Sequence, residues 1–272
     1  MRLDRYLESR LQASARAVRL LLAGGAVTVD GVTERDGRCV VGKFSRITAN
    51  SEPLQSKEAV YLMLHKPVGC VSATHDPVHL SVLDLIHHPS RDELHLAGRL
   101  DFNTTGLLLL SNDGEWSSGI TLPGRRTPKT YRVETRDVIT PEYVERFRQG
   151  VDFRYENLRT QPAILEILAP RLALLTLVEG RYHQVKRMFG SFRNPVLSLH
   201  RISIGTLHLD DALLPGQYRP LTEEEVASLR HARHGRRVSD GASCLSQRAV
   251  PECQEPPEAS DRFIGAVPSE RP

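Results

Sequence analysis

Cysteines are few in this sequence and long apolar runs are missing. Its 272 residues contain four cysteines, and no two of them form a CxxC pair. They are Cys39, Cys70, Cys244 and Cys253. This spacing indicates neither a disulfide framework nor a zinc site, so we expect plain thiols. The apolar runs, such as 107–110, are too short to span a bilayer, and the N-terminus has no signal-peptide core. We therefore expect a cytoplasmic protein with no membrane partner.

Cofactor motifs are missing as well. The chain has no GxGxxG fingerprint, no P-loop and no His/Cys group at metal-ligand spacing. We therefore expect neither a cofactor nor a metal. With 40% hydrophobic and 25% charged residues, the composition is typical of a globular protein.

The positive charge is concentrated at one end of the chain. Residues 1–47 contain nine Lys/Arg against five Asp/Glu, whereas 48–232 contain 21 against 22 and 233–272 contain six of each. A module that binds phosphates would place its charge in this way. A solvated helical surface explains the surplus equally well.

The N-terminal segment predicts two short helices and a hairpin. Leu3, Leu7 and Leu11 have helical spacing, and Ser14 is suited to cap a second helix that Gly24-Gly25 ends. A strand at 27–29 then enters an Asp30-Gly31 turn.

This arrangement resembles the S4 RNA-binding domain. The resemblance implies a domain over 1–47 that contacts RNA through basic side chains. Those side chains are Arg2, Arg5, Arg16 and Arg19. The polar stretch 48–58 is expected to be a linker.

The following region predicts an α+β domain with a mostly antiparallel sheet. Strands are expected at 60–64, 106–110, 131–135, 163–168 and 172–178. One helix should begin after Thr140 and end at Gly150, and the last should open with the capping box Thr222-x-x-Glu225. The tail 233–272 has five prolines and one aromatic residue, so we expect it to be disordered.

The segment 98–106 presents an acid between two glycines, just before a buried strand. Such a loop places the Asp101 carboxylate at a sheet edge, where the neighbouring Arg99 would keep it ionised if the two paired. Taken alone, the pattern also fits a structural Arg–Asp pair in a turn.

Three motifs in the same order resemble those of the pseudouridine synthases, in the branch of small-subunit ribosomal enzymes. They are LHKPVGCVSATHDP at 64–77, AGRLDFNTTGLLLLSNDG at 97–114 and EGRYHQVKRMF at 179–189. The likeness covers nearly all of 1–230 and implies a catalytic domain over 59–232. It implies an isomerase that detaches the uracil of a uridine at N1 and rejoins it through C5. Asp101 is then the catalytic aspartate, acting as base or as nucleophile.

The resemblance also implies roles for Tyr131 and Lys186. The tyrosine would lie against the target base, beside the basic residues Arg125, Arg126 and Lys129, although a core tyrosine is the alternative. The lysine, on an expected helix over 181–189, would lie against the catalytic aspartate. The remaining expected substrate contacts are Arg99, Arg181, His183 and Arg187.

The resemblance favours 16S rRNA as the substrate. Large-subunit relatives tend to carry Asn-Arg where this chain has Tyr182-His183. A large-subunit synthase and a non-catalytic S4-type assembly factor are the alternatives. We expect a monomer that acts on an assembly intermediate of the small ribosomal subunit.

Overall fold

The computed structural model describes residues 1–153 and 157–230. All of them belong to one compact unit, Met1–Arg233. The predicted disordered tail, 233–272, lies outside the described residues, as do Cys244 and Cys253. Within the described ranges, no helix has the length and apolar character needed to cross a membrane.

The N-terminal part packs two helices on a four-stranded sheet. The helices are α1 (Leu3–Leu11) and α2 (Ala15–Ala23). The strands are β1 (Val27–Val29), β2 (Val32–Thr33), β3 (Ile47–Ala49) and β4 (Glu52–Gln55), in the order β2-β1-β3-β4. Its own apolar cluster includes Leu3, Leu7, Val18, Leu22, Val27 and Ile47.

The predicted helices and hairpin of this part are confirmed. The Ser14 hydroxyl accepts a hydrogen bond from the Ala17 amide (3.3 Å), as an N-cap does. Gly25 follows α2 with a φ of 72°. Asp30 and Gly31 have φ values of 51° and 85°, as expected of a two-residue hairpin turn between β1 and β2.

The prediction of a linker over 48–58 is wrong for most of its length. Residues 48–55 are largely in β3 and β4, and β3 pairs with β1 through the register Val27↔Ala49. The sequence does contain a turn signal here, the dipeptide Asn50-Ser51. These two residues form the turn between β3 and β4, with φ values of 52° and 69°. The two strands are only three and four residues long, so neither contains enough positions for a period-2 alternation to identify it.

The remaining strands build a second and larger sheet. They are β5 (Tyr61–Lys66), β6 (His95–Leu96), β7 (Thr105–Ser111), β8 (Lys129–Thr135), β11 (Ile164–Ala169), β12 (Leu172–Leu177), β13 (Val196–Ile204), β14 (Leu207–His208) and β15 (Tyr218–Pro220). A separate pair is formed by β9 (Asp152–Phe153) and β10 (Leu158–Arg159). The main path is β11-β12-β8-β13-β7-β5-β15, and only β13 and β7 pair in parallel among the described strands. The mostly antiparallel α+β prediction is confirmed.

Four helices cover the two faces of this sheet. They are α3 (Gly114–Thr121), α4 (Pro141–Gln149), α5 (Gln184–Gly190) and α6 (Glu223–Arg230). Phe147 of α4 and Phe189 of α5 share one apolar cluster, whereas Trp116 of α3 and Leu229 of α6 share another. Neighbouring residues of β7 alternate between these clusters, as side chains on a strand must.

The predicted ends of two helices are confirmed. Helix α4 follows Thr140 and stops before Gly150, although the Thr140 hydroxyl makes no capping bond. At α6 the capping box is formed: the Glu225 amide donates to the Thr222 hydroxyl (3.2 Å), and the Thr222 amide donates to the Glu225 carboxylate (2.8 Å).

At Gly106 the backbones of β7 and β13 leave no room for a side chain. This glycine pairs with Arg201 and has a φ of 106°, which other residues rarely adopt. A Cβ atom there would overlap the backbone of Arg201. Gly106, the second glycine of the 98–106 motif, is therefore required by the packing of β7 against β13.

We expect Gly106→Ala to destabilise the protein by about 3 kcal/mol, through left-handed strain and overlap with β13. Gly119→Ala is the matched control, because a Cβ at this α3 position meets no atom within 4 Å and alanine favours helix. Urea unfolding should show the two variants moving in opposite directions. Equal stability of Gly106→Ala and wild type would contradict this view of the strand pair.

Candidate active site

Asp101 lies in the loop between β6 and β7. The Thr104 amide donates to the Asp101 carbonyl (3.0 Å), which closes a turn around the carboxylate. The Asp101 side chain is 29% exposed, so it is open to a ligand but partly enclosed. The sequence-based placement of a carboxylate just ahead of a buried strand is confirmed.

A lysine and a histidine lie beside this carboxylate. Lys186 Nζ is 3.4 Å from Asp101 Oδ2, and His183 Nε2 is 3.6 Å from the same oxygen. Both come from the start of α5, about 80 residues further along the chain. The structure thus brings together Asp101 and Lys186, the pair that the resemblance implied.

The helix that carries Lys186 begins later than predicted. The sequence predicted 181–189, but α5 starts at Gln184 and His183 precedes it with a φ of 49°. The Gln184 side chain accepts a hydrogen bond from the Arg181 amide (3.0 Å), which fixes the chain before the first turn. His183 is therefore at the N-cap position, and its ring reaches Asp101 from there.

Tyr131 lies on β8, two strands away from β7. Gly106 pairs with Arg201, and Arg201 pairs with Tyr131, so the three form one row across the sheet. The tyrosine is 8% exposed and belongs to the same apolar cluster as Leu100 and Phe189. It lies on the face that α5 covers, and it is largely a core side chain in this conformation.

Arg99 is not the partner of Asp101. Within the described ranges its exposed side chain forms no ion pair with that carboxylate, so the structural Arg–Asp pair, which the sequence left open as an alternative, is not formed. The backbone carbonyl of Arg99 instead accepts a hydrogen bond from the Arg201 side chain (3.4 Å).

The other basic residues of the sequence analysis are spread around these elements. Arg125 ends a single 3-10 turn, and Arg126 donates to the side chain of Gln161 (3.1 Å). Arg181 pairs with Glu179 (2.9 Å), and the Arg187 guanidinium lies 3.7 Å from the centre of the Phe153 ring.

The four N-terminal arginines are exposed on the smaller part of the protein. They are Arg2, Arg5, Arg16 and Arg19. Arg5 approaches Glu8 (3.4 Å), and Arg19 donates to the Ala15 carbonyl (3.2 Å).

Sequence reasoning missed two buried cations that hold the Asp101 loop. Lys66, fully buried, donates to the carbonyls of Pro67 (3.0 Å), Phe102 (3.3 Å) and Thr104 (3.0 Å). Burial lowers the pKa of this lysine, because the charged form loses its hydration. Lys66 belongs to the 64–77 motif. Its position between an apolar strand and a proline was the one sequence feature that could have indicated burial.

The second buried cation is Arg201, which is 2% exposed. It donates to the carbonyls of Leu107 (2.8 Å) and Arg99 (3.4 Å), one on each side of Asp101. The Ser72 hydroxyl adds a bond to the carbonyl of Leu100 (2.7 Å) and accepts from its amide (3.0 Å). The loop is therefore held through its backbone, whereas Lys186 and His183 are the neighbours of the carboxylate itself.

Comparisons with known proteins agree with this arrangement. The sequence pattern of the RNA pseudouridylate synthase family matches residues 60–191. A Pseudomonas aeruginosa protein named ribosomal small subunit pseudouridine synthase A is 55% identical over 230 residues, which cover 84% of this chain and 100% of that protein. The Escherichia coli K12 protein of the same name is 43% identical over 230 residues, with the same coverage. A crystal structure of a pseudouridylate synthase superposes with a TM-score of 0.62 at 38% identity, over 84% of this chain and 99% of that one.

Lys129 gives a pH-dependent prediction. Burial, assisted by the Arg201 charge, lowers the pKa of this lysine from its usual 10.5 to about 8. Below pH 8 the amine is charged in both states, which costs the folded state stability. Between pH 8 and 10.5 the folded protein releases the proton first, so this cost is relieved as the pH rises.

We therefore expect Lys129→Met to raise the free energy of unfolding at pH 7 and to lose most of that advantage by pH 10. Urea unfolding at both values measures the difference. Lys57→Met is the control, because Lys57 is paired with Glu93 near the surface. If Lys129→Met raised the free energy of unfolding equally at both pH values, the lowered pKa assigned to Lys129 would be contradicted.

Proposed function

This chain belongs to the RNA pseudouridylate synthase family, in the branch of the ribosomal small subunit pseudouridine synthase A proteins, and from that premise we propose that it isomerises one uridine of 16S rRNA to pseudouridine. The observation that carries the proposal is the Asp101 carboxylate, 3.4 Å from Lys186 in a loop held by buried cations. The names of relatives 55% and 43% identical support the small-subunit target.

The proposed reaction conserves every atom of the substrate. The N1–C1′ bond breaks, the uracil turns, and C5 bonds to C1′ while C5 loses a proton and N1 gains one. Asp101 is the proposed catalytic carboxylate. Lys186 places positive charge 3.4 Å from one of its oxygens and His183 lies against the same oxygen, so both are proposed to hold the carboxylate in place.

Tyr131 is proposed to line the space for the extruded uracil. It lies on the face of the sheet that α5 covers, the same face that holds Leu100 next to Asp101. Proteins that modify bases commonly hold a flipped base between aromatic and apolar side chains.

The grip on RNA is proposed to come from the basic residues outside this pocket. Around the large sheet these are Arg99, Arg125, Arg126, Lys129, Arg181 and Arg187. Phosphate contacts give affinity without sequence choice, so the fold of the RNA must select the uridine. We propose that the substrate is an assembly intermediate of the small subunit, that the protein acts as a monomer, and that it works in the cytoplasm, where such subunits form.

The N-terminal part is proposed to be an S4-type RNA-binding domain that extends to Gln55. Its apolar cluster is separate from the two clusters of the large sheet. Residues 59–232 are the proposed catalytic domain.

Asp101→Asn should abolish turnover while folding and RNA binding stay close to wild type, because the amide keeps the shape of the carboxylate but not its charge. In a strain that lacks the gene, carbodiimide and primer extension should show one missing 16S pseudouridine. The wild-type gene and the exposed-site control Asp92→Asn should restore it, and Asp101→Asn should not. A missing 23S signal with all 16S signals intact would refute the small-subunit target, and restoration by Asp101→Asn would refute the catalytic role.

Deleting residues 1–55 should weaken RNA binding and flatten its salt dependence, since 1–47 carries the surplus positive charge. The catalytic part should still fold, because its apolar clusters are its own. Kd measured across a salt series gives the slope. The double variant Arg16→Gln/Arg19→Gln, with the fold intact, should reduce the slope by about 1.4 if both arginines contact single-stranded phosphates. An unchanged slope in both proteins would contradict the assignment.

A further inference from the structure

The loop before α5 presents an aromatic ring to solvent beside the site. Tyr182 is 74% exposed, and its ring stacks on His183 with centroids 3.9 Å apart and planes at 23°. His183 in turn reaches Asp101. The exposed Tyr182 ring therefore stacks directly on His183, the side chain that contacts the proposed catalytic carboxylate.

The loop that carries Tyr182 is held firmly on its inner side. The Glu179 carboxylate accepts from the Gln184 side chain (2.8 Å) and pairs with Arg181 (2.9 Å). The Gln184 side-chain oxygen accepts a hydrogen bond from the Arg181 amide (3.0 Å), and Gln184 is itself buried. The position of Tyr182 is therefore fixed by its neighbours and does not depend on burial of its own ring.

This arrangement contributes little to the stability of the fold. His183 adopts a φ of 49°, a left-handed conformation that costs a residue other than glycine about 1 kcal/mol. The result of that conformation is an exposed tyrosine on a fixed loop. Strained backbone that displays a side chain next to reactive groups points to a binding role.

We infer that the Tyr182 ring is a stacking platform for a nucleobase that neighbours the target uridine. The inference rests on the proposed function, because RNA must pass this loop for a uridine to reach Asp101. One face of the ring rests on His183, so the opposite face is open to a planar ligand. Aromatic side chains bind unstacked RNA bases in this way, and an extruded uridine leaves its neighbours without a stacking partner.

The test compares Tyr182→Ala, Tyr182→Leu and Tyr182→Phe in steady-state kinetics on 16S rRNA. Alanine and leucine, which lack a π face, should raise KM about ten-fold with kcat close to wild type, whereas phenylalanine should behave like wild type. The Kd of the same RNA, measured in the Asp101→Asn background, should move in parallel. Ile164→Ala is the control, because Ile164 is similarly exposed (73%) on the distant edge strand β11.

A second experiment identifies the base. Once mapping has located the target uridine, each neighbouring nucleotide is replaced in turn by an abasic one. At one position the replacement should itself raise KM about ten-fold, and Tyr182→Ala should then add no further loss. Additive losses at every neighbouring position would overturn the inference.

Other results separate this inference from the proposed function. If Tyr182→Ala lowers kcat with KM unchanged, the tyrosine acts by holding His183, and the stacking role is wrong. If wild-type protein forms no pseudouridine in rRNA, the proposed function fails. In that case, a weaker Kd of Tyr182→Ala and Tyr182→Leu but not of Tyr182→Phe on the same rRNA would still support the stacking site, and equal Kd values for all three variants and wild type would refute it.

Discussion

Hydrogen bonds from two buried cations to backbone carbonyls determine where the Asp101 loop lies. Lys66 binds carbonyls that follow Asp101, and Arg201 binds carbonyls on both sides of it. Burying such charges is costly unless polar groups surround them. Here carbonyls of the loop accept hydrogen bonds from both cations, although Nη2 of Arg201 is buried without a hydrogen-bond partner among the described residues.

The residues that hold the loop differ from the residues that contact the Asp101 carboxylate. The two cations that hold the loop, Lys66 and Arg201, are buried, and they donate hydrogen bonds to its backbone carbonyls. Lys186 and His183, which approach the carboxylate, are about one-third exposed and come from a different element. The loop backbone and the carboxylate therefore have different neighbours: Lys66 and Arg201 hold the backbone, whereas Lys186 and His183 contact the carboxylate.

The sequence predicted elements whose ends carry strong local signals, and it failed where those signals were weak. Ser14, Asp30-Gly31 and the Thr222–Glu225 box each located an element correctly, because capping and turn chemistry act within a few residues. The nine-residue strand β13 was not predicted, since His200 and Arg201 interrupt its apolar pattern. A buried charge resembles a surface charge in a sequence, and for the same reason Lys66 and Arg201 were missed. The proximity of Asp101 and Lys186 came from resemblance, because no local rule relates residues so far apart in the chain.

The parallel pairing of β7 with β13 also has a consequence for the order of events during synthesis. Arg201 lies 94 residues after Leu107 and 102 residues after Arg99, the two residues whose carbonyls it binds. The segment around Asp101 leaves the ribosome long before this partner exists, and such long-range contacts form late in folding. Under the proposed function, a nascent chain that already displays its N-terminal arginines would therefore lack a formed loop around Asp101. Chains that terminate before β13 would then bind RNA without modifying it.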